Sequence, residues 1–186
     1  MTANTANTAN LKNIGWRPMR RKRQLLPAAK AVQLLKNATS GVLALAGDNG
    51  WPYAVPLNHA YENGCLYFHA ALQGQKIDAI RRCDKACFTV IVQDILVPEK
   101  YTSLYKSVMC FGRIHILENE EERLHALRLI GERCNPGDAA GFAAEMRRND
   151  RRTLALCLKI EHISGKEGIE LTRKRCHDPD LSAYDE

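Results

Sequence analysis

No stretch of this 186-residue chain approaches the ~18 consecutive apolar residues of a membrane-spanning helix, so none is expected. The first ten residues, Met-Thr-Ala-Asn-Thr-Ala-Asn-Thr-Ala-Asn, lack the apolar stretch of a secretory signal, and export is not expected either. The seven cysteines are odd in number and form no C-x-x-C. Together these absences point to a reduced, cytoplasmic protein with free thiols. There is no G-x-S-x-G, no G-x-G-x-x-G and no phosphate-binding P-loop. The sequence therefore carries no self-contained catalytic apparatus, and any catalysis is expected to fall to a cofactor.

What is present is ordinary for one globular domain: 45% hydrophobic and 26% charged residues. A chain of this length can bury about two-thirds of its unfolded surface. The net charge of +6 is unevenly spread. Residues 1–30 carry seven basic side chains and no acidic ones, whereas the remainder carries 20 basic and 21 acidic. The basic arm, densest at Met19-Arg-Arg-Lys-Arg23, could meet a phosphate backbone. Charge runs are usually solvated, so it is read as a helix lead-in or a clamp on a neighbouring subunit, and nucleic acid is not expected as a partner.

Turn chemistry divides the chain. The repetitive polar segment 1–10 has nothing to bury and is expected to be disordered, within an arm spanning 1–18. Pro27 opens a helix with Ala28, Ala31, Val32, Leu34 and Leu35 on its apolar side. Gly41–Ala46, Tyr53–Tyr61 and Cys65–Ala70 read as strands joined by turns at Asp48-Asn49-Gly50 and Asn63-Gly64, an antiparallel meander. Pro56 inside the second strand requires an edge, a bulge or a cofactor beside it. Gly74–Cys83 reads as a helix, Cys87–Val92 and Lys106–Leu117 as strands. Asn119 caps a helix running to about Cys134, and a second short helix ends near Arg147–Arg152. Leu154–Ile163 and Gly168–Thr172 are the last expected strands, before a flexible tail at 176–186. The fold class is α+β, a small antiparallel β-barrel with peripheral helices.

Metal chemistry finds no support. A two-residue turn at Asn63-Gly64 places Asn58 opposite His69 and His59 opposite Phe68, so the two histidines point to opposite faces and cannot share a metal. Cys83 and Cys87 straddle a helix-to-strand junction, Cys176-His177 falls in the tail, and Cys110 and Cys157 read as core residues. The remaining feature is His69-Ala-Ala-Leu-Gln-Gly-Gln-Lys76: a strand end, a glycine turn and a lysine in the first turn of a helix, which suits a phosphate.

These segments are also where the chain resembles the pyridoxamine 5′-phosphate oxidase-like flavoproteins, in the shorter branch that includes the nitroimidazole-resistance proteins. The likeness runs through Met19-Arg-Arg-Lys22, Gly41-Val-Leu-Ala-Leu45, Tyr53-Ala-Val-Pro-Leu-Asn58, Tyr67-Phe-His-Ala70 and Gly74-Gln-Lys-Ile-Asp-Ala-Ile80. It continues through Tyr105-Lys-Ser-Val108, Gly112 and Ile163-Ser-Gly-Lys-Glu167, within a domain spanning 19–175.

The resemblance implies a split barrel that forms a homodimer, with FMN in a cleft between the subunits and a small-molecule substrate. It places Tyr53, Ala54, Val55, Pro56, Leu57 and Asn58 along the flavin ring and ribityl chain, and His69 and Ala70 beside the phosphate. Gln75 and Lys76 would hold that phosphate, and Ser107 would reach the ring. The implied activity is transfer of hydride or electrons between a reductant and an aromatic or nitro-type acceptor. Two departures stand out: Asn58 and Gln75 replace a lysine and an arginine of relatives near the true oxidase. The oxidase's C-terminal Arg-Leu-x-Pro segment is also missing, so vitamin B6 oxidation itself is not expected. The same resemblance implies an alternative, a non-catalytic flavin- or haem-binding protein for storage or sensing, with His59 and His69 as the axial ligands.

Overall fold

Period-two alternation of apolar residues builds a single antiparallel sheet, and the computed structural model describes it over residues 15–177. The strands are β1 (Leu25–Leu26), β2 (Ser40–Ala46), β3 (Pro52–Asn58), β4 (Ala60–Glu62), β5 (Cys65–Ala71), β6 (Lys85–Val97), β7 (Thr102–Ile116) and β8 (Thr153–Glu167). Five helices accompany them: α1 (Ala28–Asn37), α2 (Gln75–Arg82), α3 (Glu120–Cys134), α4 (Ala139–Asn149) and α5 (Ile169–His177). The spatial order is β3-β2-β6-β7-β8-β5-β4, with β1 added beside the end of β8. The class is α+β, and the curled sheet with its helices is a split barrel.

Inward side chains of the curled sheet meet in one core, centred on Leu43, Leu66, Phe68, Phe88, Val90, Val108, Ile114, Leu156 and Leu158. Leu35 of α1 and Ile77 of α2 close it. A smaller cluster, Leu117, Ala126, Leu127, Ala155 and Cys157, lies between the outside of the barrel and α3. Both glycine turns form as expected. Asn49 (φ 54°) and Gly50 (φ 78°), like Asn63 (φ 48°) and Gly64 (φ 83°), take the left-handed conformations that tight hairpins need. Asn119 caps α3 by accepting from the N–H groups of Glu121 (3.0 Å) and Glu122 (3.1 Å).

The ends of the described chain are tied together. Arg175 of α5 pairs with Glu167 at 2.7 Å, both buried, and also donates to the carbonyl of Arg23. Trp16 of the basic arm stacks on His162, with ring centroids 5.0 Å apart. The segment expected to be disordered, 1–10, lies outside the described residues, as does 178–186 of the expected tail. Cys176 and His177, expected in that tail, instead close α5.

The structure corrects the sequence reading at several strands. Tyr53–Tyr61 is not one strand in a meander: β3 pairs only with β2, and β4 pairs with β5. The expected register holds for Glu62↔Cys65 through Ala60↔Tyr67, but the ladder stops there and Asn58 does not pair with His69. The break falls at His59, whose ring turns into the core and donates to the Leu35 carbonyl at 2.9 Å. Pro56 sits on β3, a terminal strand of the sheet, where no ladder needs its missing N–H.

Gly168–Thr172 is the start of α5 rather than a strand. Ile169 and Leu171 alternate like strand residues, but the Gly168 carbonyl accepts from Leu171 and Thr172 and begins the helix. Strands β6 and β7 are each longer than read and form an extended ribbon, because their distal halves pair with one another without a sequence turn signal nearer than Pro98–Tyr101.

At Gly112 the ladder between β7 and β8 shifts register, and a Cβ there would collide with the carbonyl of Lys159. We expect Gly112→Ala to destabilise the fold by about 2–4 kcal/mol, because the obstacle is backbone on a doubly paired strand. The shift of the urea unfolding midpoint measures it, and an unchanged midpoint would contradict this account of the bulge.

Candidate functional site

Filling the barrel interior with every second side chain leaves an outward set whose register aligns it in rows. One row is Ala54–Ala44–Cys87–Phe111–His162, and the next is Pro56–Val42–Thr89–Met109–Ser164. The β3 and β2 positions carry small or flat side chains and, with Cys87 and Thr89 of β6, they form a shallow shelf about 10 Å across three strands. Trp16 closes the far end of the first row by stacking on His162 and lying tilted against Phe111. Burial holds His162 below the ordinary histidine range, so it is a neutral ring at pH 7. Burial also raises the Cys87 thiol, against the nearby Thr89 hydroxyl, and keeps it protonated.

Ser107 lies on the same outward face, one register step beyond, between Ile91 and Lys166. From it the apolar surface continues out along the ribbon: Ile91 is 69% exposed, Leu96 77% and Tyr101 100%. These large apolar side chains therefore stand in solvent along the ribbon.

The polar end of the shelf is built by α2. Gly74, at φ 125°, turns the chain into the helix, whose first N–H groups have no intrahelical partner. The turn between β2 and β3 meets it there: Asp48 accepts from Gln75 Nε2 at 3.3 Å and pairs with Arg82 at 2.6 Å. The helix start is thereby anchored beside the beginning of β3. Lys76 stands in its first turn, half-buried, with Ile77 and Ile80 fixing the helix to the core.

The structure sorts the sequence-derived residues into distinct positions. Ala54, Pro56 and Asn58 face outward on β3, while Tyr53, Val55 and Leu57 turn inward and pack against the core. Ser107 joins the outward face, and Gln75 and Lys76 stand at the helix start tied to it through Asp48. His69 is exposed near the end of β5, across from Ala155, whereas the Ala70 side chain is buried and offers only its backbone. His59 is a core residue: it packs edge-on against Phe88 and its Nε2 is committed to Leu35. It is not presented to a ligand.

Sequence reasoning missed Val42, Ala44, Thr89, Met109, Phe111, His162 and Trp16 on this face. Their alignment depends on pairing across strands far apart in the chain, which no local motif signals. Among the described residues no group of three or more His, Cys, Asp or Glu side chains could hold a metal ion, and no helix is long and apolar enough to cross a membrane. A groove of about 620 Å³ between α3 and α4, lined by Leu124, Phe142 and Met146 among others, lies away from the shelf.

A family model described as pyridoxamine 5′-phosphate oxidase matches residues 27–167, from the start of α1 to the end of β8. A candidate 5-nitroimidazole antibiotic resistance protein from Bacteroides thetaiotaomicron is 26% identical, with 75% of this chain and 83% of that one covered and a TM-score of 0.65. A FAD-binding protein from Mesorhizobium loti is 25% identical over 77% of this chain and 96% of that one, with a TM-score of 0.54. A FAD- and heme-binding protein from Mycobacterium smegmatis is 23% identical over 78% and 73%, with a TM-score of 0.66, and shares the fold. No curated protein matches the chain.

The buried His59 makes stability pH-dependent. Burial holds its pKa below the ordinary value of 6.5, although its bond to the Leu35 carbonyl acts the other way. The unfolded chain therefore binds the proton first, and stability present above about pH 6.5 is lost as pH falls toward the folded pKa. The urea midpoint should drop between about pH 7.5 and pH 5. The slope should be shallower in His59→Gln, with a residual fall from His162. Equal slopes in the two proteins would exclude His59 as a source.

Proposed function

Because the chain belongs to the pyridoxamine 5′-phosphate oxidase family, we propose that it is a flavoprotein that binds FMN on the outward shelf of β2 and β3, as a homodimer with the cofactor between subunits. The observation that carries this reading is the shelf itself, a flat strip of small side chains that ends at an anchored helix N-terminus bearing Lys76. A planar ring fits such a strip, and a phosphate fits such a helix start. FMN supplies, when bound, a ring that accepts and donates hydride or single electrons.

The chain's own residues bind and orient. Lys76 is the phosphate anchor. Gln75 is its neutral helper, with its side chain held by Asp48, whose own charge is offset by Arg82. His69 stands beside the phosphate, with the Ala70 backbone. Pro56 and Asn58, with Ala54, lie along the ring, while Tyr53, Val55 and Leu57 support that strand from the core side and offer it backbone groups. Ser107 reaches the ring from β7. The reaction is transfer of hydride or electrons from a reductant to a small aromatic or nitro-type substrate, with protein groups excluding water.

A single chain leaves the shelf open on its outer side, and the exposed ribbon residues Ile91 and Leu96 lie on the same face further out, with Tyr101 at the ribbon tip. A second copy would cover both at once. This supports the dimer, because one association would shield the apolar ribbon and wall the cofactor.

The visible absorption spectrum of freshly purified protein, with the released cofactor identified by mass, tests the reading. A yellow protein releasing FMN, one per chain, is expected. A colourless protein that refuses added FMN, or one with a Soret band instead, would overturn it. Lys76→Ala should weaken FMN binding roughly 10- to 100-fold, the range of a lost charge-assisted hydrogen bond to phosphate. Stoichiometric retention of FMN by that variant would remove Lys76 from the site. Leu96→Asp should shift the protein toward monomer in size-exclusion chromatography and release flavin in step. A monomer that retains its flavin would contradict the interfacial site.

A further inference from the structure

One ring at the end of the shelf is held in a way that its surroundings do not fully satisfy. Trp16 reaches the outward face of β8 from the basic arm and stacks on His162, with centroids 5.0 Å apart and planes 13° from parallel. Phe111 of β7 stands beside it as a second wall, 5.3 Å away and tilted by 38°. His162 and Phe111 are themselves a tilted pair, 6.2 Å apart, so together they form a corner that one flat ring fills. This corner continues the row Ala54–Ala44–Cys87 of the shelf.

The indole fits the corner incompletely. Its Nε1–H is sealed from solvent and has no hydrogen-bond partner. A buried indole ordinarily finds an acceptor for that group, and leaving it unpaired is costly. Trp51, the other tryptophan, has no such difficulty, because it stands 75% exposed between β2 and β3. The arm adds little to hold Trp16 in place. Among the described residues, no hydrogen bond or ion pair joins residues 15–20 to the barrel. The arm is first tied down further on, at the Arg23 carbonyl and at β1.

The corner itself suits a ring with no donor at that edge. Burial keeps His162 neutral, so no charge is desolvated when a ring covers it. An aryl edge that carries only C–H groups leaves nothing unpaired where the indole leaves its N–H. Both features favour a flat, uncharged aromatic ring over the tryptophan that occupies the corner.

We propose that the corner of His162 and Phe111 is a binding site for a planar, uncharged aromatic ring such as a nitroarene, and that Trp16 is a displaceable occupant which this ring replaces. That the ring belongs to the electron acceptor rests on the flavin reading; that the corner takes a ring does not. His162 lies two strands beyond Cys87, about 10 Å, so an acceptor in the corner continues the strip on which the flavin lies. Trp16 then sets selectivity. A ligand must outcompete the indole for two aromatic walls, so flat rings enter and saturated rings of equal size do not.

The test uses the full chain as purified, labelled with nitrogen-15, and 4-nitrobenzyl alcohol as the probe. Trp51→Phe tells the two indole N–H resonances apart. The probe should move the Trp16 resonance toward the position of the exposed Trp51 and leave that of Trp51 in place. Cyclohexylmethanol, saturated but of similar size, should move neither. By calorimetry, Trp16→Ala should bind the probe roughly fivefold or more tightly than the wild-type chain, because the apparent Kd of a plugged site is the intrinsic one divided by the fraction of chains in which it is free. In the Trp16→Ala background, adding His162→Ala should weaken binding about two- to tenfold, the range of one aromatic pair. A Trp16 resonance that stays in place at millimolar probe, or a Trp16→Ala variant that binds no more tightly, would overturn the proposal. The resonance of the wild-type chain decides the matter even if a variant fails to fold. Flavin content, read from the visible absorbance of the same samples, is a separate result. A colourless protein that passes these tests keeps the ring site and loses the flavin reading, and a yellow one that fails them loses the ring site alone.

Discussion

Strand β7 is paired along its length on one side by β6 and over most of it on the other by β8, and this double ladder fixes nearly everything else in the molecule. Its period of two decides which side chains enter the barrel and which stand outside. Val108, Cys110 and Ile114 go in; Ser107, Met109 and Phe111 go out. A slip of one residue would exchange the core for the shelf. Gly112, where the register shifts between Phe111 and the next pair, keeps both halves of the ladder in phase with their neighbours.

Features that depend on residues close in sequence could be read before the fold was known. The two Asn-Gly turns, the Asn119 cap and the start of α2 at Gly74 all follow from local backbone chemistry, and each stands where the sequence put it. The Glu62↔Cys65 register follows from the same turn logic. What failed was pairing beyond the turns. Nothing local told that β3 and β4, consecutive in the chain, would lie at opposite ends of the sheet order. The chain breaks between them at one buried ring, His59, which bonds the Leu35 carbonyl.

The candidate site shows the same division. Its polar end was legible because a strand end, a glycine and a helix-start lysine fall within eight residues, from His69 to Lys76. Its flat face was only half legible: β3 supplied Ala54, Pro56 and Asn58, but the partners from β2, β6, β7 and β8 come together only through long-range register. Trp16 was the least visible of all. An indole in a basic arm carries no signal that it will stack on a histidine far along the chain. The exposed ribbon was missed for a related reason, since its two strands stabilise each other and show no apolar alternation toward the core.

The pairing of Arg175 with Glu167, and its further bond to the carbonyl of Arg23, brings the first and last described segments side by side. Tension applied through the two ends would therefore be borne by this clamp and by the short β1–β8 pairing, not by the barrel strands. The molecule behaves mechanically as a closed ring with a latch. Pulled gently, it would open at the latch and pay out the arm and α5, taking Trp16 from the far end of the shelf while the pairing of β2, β3 and β6 held.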